Sequence, residues 1–276
     1  MGIFLGVIAA FFIGLSDVFA ARAGKHASFF SVVRTNMAVS GLLAPVLLLI
    51  KPWAWSARDV GLGALSGMAM ATGLVLLYRG YSVARIGVVA PVSSVLLAAV
   101  PVVYSMIKGD RPGIIGAVGM MLGACALVLT TWHPGGGGTI KQGLILGVTS
   151  GLFFGVAFVC MDAASDEAGL LPVLIQRVVG FAMLAGVQRF ERSALVVIRG
   201  SHRRAAWATG LAAVIGLASL QVGYELGKSG PVSVAVSQFA TFAVLLSVIF
   251  NKERMRWWQA VGVGTSAVGV ALLALA

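Results

Sequence analysis

Ten apolar runs of about twenty residues, parted by short polar or glycine-rich joints, leave this 276-residue chain few ways to fold. A run of that length crosses a bilayer as a helix, and in hydrocarbon only helices or closed barrels satisfy their own backbone groups. The runs lie near Gly2 to Ala21, Ser28 to Ile50, Val60 to Ser82, Ile86 to Ile107 and Pro112 to Trp132. The second set runs near Gln142 to Ala164, Gly169 to Gln188, Arg204 to Glu225, Gly230 to Phe250 and Trp257 to Leu275. Only 11% of residues are charged and mean hydropathy is +0.99, against roughly 25% charged in soluble domains. The fold class expected is an all-α integral membrane protein with ten transmembrane helices. All six tryptophans fall at or just outside span ends, where the headgroup layer suits an amphipathic ring.

The spans also repeat. Shifted by 143 residues, Gly73 to Gly119 lies over Gly216 to Gly262, and Gly73, Leu74, Leu77, Gly80, Tyr81, Gly87, Val89, Ser94, Arg111, Ala117, Val118 and Gly119 meet identical residues. Arg85 meets Lys228 and Asp110 meets Glu253 at the same offset. Five spans fill one period, and an odd number of crossings turns the second copy upside down in the membrane, the inverted-repeat plan of many secondary transporters. The expected organisation is a first five-helix repeat over 1–132, a Gly-rich linker over 133–141 and a second repeat over 142–276, with the working site between the halves.

The net charge of +11 belongs to basic residues scattered through short loops, which reads as membrane topology rather than a nucleic-acid surface. Thirteen Lys and Arg follow odd-numbered spans and five lie on the opposite side. The positive-inside rule then places both termini outside the cell inner (plasma) membrane. The first run continues past Asp17 and reads as a retained span rather than a cleaved signal. The loop from Arg189 to Arg203, with its apolar patch Ala194 to Ile198, reads as solvated, with a place along the membrane surface as the alternative. Cys125 and Cys160 sit inside apolar runs, and neither a disulfide framework, a metal site nor another cofactor is indicated.

Ionisable groups within spans are expensive unless paired or wet, so each is a functional candidate. Asp17 and Arg34 come to similar depth from one face and are expected to pair, with Asp17 also a candidate for taking up a proton or an amine. Arg177 matches Arg34 at the repeat offset and is a candidate clamp for carboxylate or phosphate, with Asp162 as a shallower candidate partner. Tyr78, Tyr81, Gln221 and Tyr224 at span ends are candidate rim residues; Ser94, Tyr104, Gln176 and Gln238 lie deeper and could bond a solute or bind helices together. Pro91 and Pro101 in span four and Pro231 opening span nine are expected to interrupt backbone ladders as hinge or gating points, with span four lining the passage.

The paired segments PVVYSMIKGDRPGIIGAVGMMLGACAL and FAVLLSVIFNKERMRWWQAVGVGTSAVGVAL resemble the EamA-type, ten-helix branch of the drug/metabolite transporter superfamily. Asp110 with Gly119, and Glu253 with Gly262, match the family's acidic residue closing the fourth and ninth helices and the glycine that follows. Arg34 and Gly14 resemble its second-helix arginine and first-helix glycine; Ile13 stands where the family often has tryptophan, and Asp17 where small polar residues are more usual. The resemblance implies transport of amino acids, sugars, nucleotide derivatives or drugs. Together with the repeat it gives the leading expectation: an exporter of a small metabolite such as an amino acid, working by alternating access with protons as a candidate coupling ion, as monomer or homodimer. A drug or nucleotide-sugar/organic-anion transporter of the same fold is the alternative. An intramembrane enzyme is the alternative of another class, which His26, His133 and His202, all in loops and far apart in sequence, do little to support.

Overall fold

A computed structural model describes residues 1–83, 86–111, 113–132, 140–188, 194–197, 199–251 and 255–275. Among them the first half forms α1 (Gly2–Gly24), α2 (Phe29–Leu47), α3 (Ala57–Val83), α4 (Ile86–Ile107) and α5 (Ile114–Thr131). The second forms α6 (Ile140–Asp162), α7 (Leu171–Val187), α8 (Arg203–Glu225), α9 (Ser229–Ser237), α10 (Phe239–Asn251) and α11 (Trp257–Leu275). Eight stretches are long and apolar enough to cross a membrane, α9 and α10 together making one of them, and Val92–Ile107 and Leu171–Val187 are shorter apolar helices. The chain is a multi-pass, all-helical membrane protein of ten spans. Most of the linker, residues 133–139, lies outside the described residues. Ten crossings bring both chain ends to one face, called here the terminal face; the other, where residues 132 and 140 lie, is the linker face.

The interruption expected in span four is found in span nine. α4 is a single helix through the positions of Pro91 and Pro101, and Pro231 sits in the first turn of α9, where no intrahelical N–H bond is lost. The break falls at Gln238. Its backbone N–H reaches Ala235 O at 3.3 Å, a tightened last turn, and α10 starts at once. Non-helical backbone at membrane depth is tolerated only when buried in protein, and α1 supplies the cover: a Cβ on Gly14 would lie 2.7 Å from Phe239 O.

Helices approach closely because small residues face one another. A Cβ on Gly151 would lie 2.7 Å from Ser93 O, and one on Gly155 only 2.4 Å from Val100 Cβ, so α6 rests on α4 almost backbone to side-chain root. The pairings are reciprocal. α1 packs on α8 as α6 packs on α3; α4 packs on α6 as α9 and α10 pack on α1; α3 packs on α7 as α2 packs on α8. α2 meets α7, α4 meets α9 and α5 meets α11, so replacing each span by its counterpart five spans along reproduces these contacts. One apolar core joins Ala9, Leu97, Phe154, Phe158, Leu170, Leu217, Leu220 and Val232, filling the half of the bundle nearer the terminal face.

Residues 194–197, between α7 and α8, are tied down rather than freely solvated. Ser31 Oγ donates to Ala194 O at 2.6 Å, Val197 N–H donates to Thr35 Oγ1 at 2.8 Å, and Trp207 Nε1 donates to Val197 O at 2.9 Å. Val197 alone among the described residues of this patch is buried, against α1, α2 and α8, where it joins Ala23, Val32 and Ala206, while Ala194 and Leu195 stay exposed.

Candidate functional site

A chain of polar groups crosses the bundle interior where α1, α2, α3, α7 and α8 meet. Ser16 Oγ donates to Thr209 O at 3.0 Å, Asn36 Nδ2 donates to Ser16 Oγ at 3.0 Å, and Arg177 Nη1 donates to Asn36 Oδ1 at 3.3 Å. Arg177 Nη2 reaches Gln176 Oε1 at 3.1 Å, and Gln176 Nε2 donates to Ser66 Oγ at 2.7 Å. Two glycines allow this. A Cβ on Gly67 would stand 2.5 Å from Gln176 O, and one on Gly180 2.9 Å from Met37 Sδ.

Arg177 is only 5% exposed, and its Nε has no acceptor. Among the described residues no carboxylate meets it: the ion pairs are Lys51 with Glu225, Arg58 with Asp59, and Lys108 with Asp162. A guanidinium held at such depth by neutral amides retains both charge and an unused donor, which suits an anionic group of a solute.

The expected pair of Asp17 with Arg34 is not formed. Arg34 is fully buried and bonds the α7–α8 connection: Nε to Leu195 O at 3.1 Å, Nη2 to Ala194 O at 3.1 Å, and Nη1 to Leu184 O at 3.3 Å. Similar depth did not make them neighbours, because that loop lies closer to Arg34 than α1 does. Asp17 makes no hydrogen bond or ion pair with a described residue. At roughly 100° per residue it shares the flank of Gly6 and Ala10, which are buried, and not that of the exposed Phe4 and Phe11. Asp17 is itself exposed although it shares this flank.

The remaining candidates divide. Gln238 is satisfied on all sides, with Nε2 on Gly123 O and Val234 O and Oε1 accepting from Ser266 and Thr241. Gln221 is buried with Oε1 unpartnered. Ser94 is buried, while its neighbour Ser93 accepts from Ser150 Oγ at 2.8 Å. The side chains of Tyr78, Tyr81 and Pro91 lie outside the described residues. His26 and His202, far apart in sequence, stack with ring centroids 6.0 Å apart; His133 is outside the description.

Tyr104 and Tyr224 belong to a second place, a cavity of about 770 Å³ at the terminal face whose wall also holds Lys108, Asp162, Glu225 and Ser229. Asp162 is 3% exposed and accepts from Ser229 Oγ at 2.6 Å; Tyr224 Oη is 2.9 Å from Ser233 Oγ. Sequence reading missed Asn36, Ser16, Ser66 and this charged wall. The available signal was the arrival of Lys108, Asp162 and Glu225 at three joints on one face.

Residues 141–275 match the model of the EamA-like transporter family. A comparison with curated proteins finds no match. A solved crystal structure is similar with a TM-score of 0.79 over 99% of this chain and 96% of its own, at 16% identity, which establishes a common fold.

Proposed function

We propose, from the premise that residues 141–275 belong to the EamA-like transporter family, that this membrane transporter is a secondary transporter working by alternating access between two inverted repeats, 1–132 and 142–276. The observation that carries this reading is the reciprocity of helix pairing, because a twofold relation in the membrane plane lets one rocking motion close one face as it opens the other. The chain sits in the cell inner membrane with both termini outside and exports a small metabolite such as an amino acid. Arg177, aided by Asn36 and Gln176, holds the solute's anionic group, and Asp17 carries the coupled proton. The unused Nε donor of this guanidinium equally favours an organic anion as cargo, the second reading within the same fold. That the family's members are transporters supports a non-enzymatic role at the family level.

Purified protein in loaded vesicles tests this directly. Saturable efflux of at least one solute from a panel of amino acids, sugar phosphates and nucleotides is expected, and absence of saturable flux across the panel would sink the reading. Asp17→Asn is expected to retain solute binding while losing dependence on a pH gradient; unchanged pH dependence would remove Asp17 from the proton path.

A further inference from the structure

The terminal-face cavity already holds an ammonium. Lys108 Nζ lies 3.5 Å from Asp162 Oδ2 and 5.3 Å from the centroid of the Tyr104 ring, a carboxylate on one side and a π face on the other. The two partners are unlike in how firmly they are held. The Asp162 side chain is buried and fixed by Ser229, whereas the Lys108 side chain is 46% exposed and sits one turn from Tyr104, just past the end of α4. A half-exposed ion pair at this separation is weakly held and readily exchanged. The same wall contains Glu225, 8% exposed, whose Oε2 meets Lys51 while Oε1 is buried with no donor. Two buried carboxylates, two tyrosines and a volume of about 770 Å³ make room for much more than one lysine tip.

We propose that this cavity is a binding site for the ammonium group of a small organic solute, which takes the place of the Lys108 Nζ between Asp162 and Tyr104, with Glu225 Oε1 accepting a further N–H of the solute. Lys108 is thus a tethered competitor. A solute that displaces it also breaks the Lys108–Asp162 ion pair, one tie between the ends of α4 and α6 on this face. The site is separate from Arg177 and rests on the transporter reading only for its place on the solute's path.

Binding to the full chain in lipid nanodiscs tests it, with phenethylammonium as probe and neutral 2-phenylethanol as control, followed by calorimetry and thermal shift. Phenethylammonium is expected to bind and 2-phenylethanol not. Lys108→Met, which removes the competitor, is expected to tighten phenethylammonium about fivefold, and Asp162→Asn to weaken it at least about tenfold. Equal binding of the neutral control, or affinity in Lys108→Met no tighter than in the parent, overturns the proposal. Should Asp162→Asn not fold, Ser229→Ala, which frees the carboxylate, is expected to weaken the probe, and unchanged affinity there also overturns it. Saturable vesicle flux without probe binding removes the site and leaves the transporter; probe binding without flux of any solute does the reverse.

Discussion

Arg34 and Arg177 occupy the same place in the two halves, 143 residues apart, each in the second helix of its half. Around Arg34, three carbonyls of the α7–α8 connection and the end of α7 receive the guanidinium. Around Arg177 there are two side-chain amides and an unused Nε. The difference lies in what the following joint offers. The first half has a long counterpart loop to fold over its arginine, and the second has only the short residues 48–56 beyond α2, which bond elsewhere, Ala54 N–H to Glu167 O at 2.7 Å. One of two matched arginines is a fastener, and the other keeps an unused donor.

That contrast can be broken by experiment. Arg177→Met should reduce flux on the order of a hundredfold, since a charge paired with the solute is lost, while the thermal midpoint stays level or rises because an uncompensated buried cation is removed. A fall in stability with flux preserved would reverse the assignment. Arg34→Met should do the opposite, lowering stability by about 2–4 kcal/mol as three carbonyls lose a charged donor, and exposing the α7–α8 connection to proteolysis; undiminished protection there would show that the loop holds itself. Gly67→Ala sharpens the comparison with a smaller effect. The added methyl would press on Gln176 O, separating α3 from α7 at a cost of about 1–3 kcal/mol, and should weaken solute affinity more than Arg34→Met does.

Much of this architecture is legible without coordinates. Hydropathy with charged and glycine joints places α4 and α11 at their observed bounds and the other spans within a few residues, because hydrocarbon allows one solution for a long apolar run. Tryptophans mark the boundaries, and Trp53, Trp55, Trp132, Trp207 and Trp257 are all exposed. The site was harder to read. The turn at Gln238 depends on Ser266, Gly123 and Gly14, partners far along the chain, whereas prolines are local and drew attention to span four. Depth along a helix can be counted from sequence, but rotation about its axis is settled by packing. Hence Asp17 and Arg34 looked like partners, and Asn36, which bridges Ser16 and Arg177, went unnoticed.

The seam of α6 on α4, where Gly151 and Gly155 meet Ser93 and Val100 with almost nothing between, has a mechanical meaning. Deeply meshed side chains act as cog teeth, holding two rods at discrete offsets until whole rows disengage. This seam carries one such tooth in Val100, set in the notch at Gly155, and one pin, the Ser150 to Ser93 hydrogen bond. A bulky side chain at Gly155 would leave Val100 no notch and wedge the two rods apart.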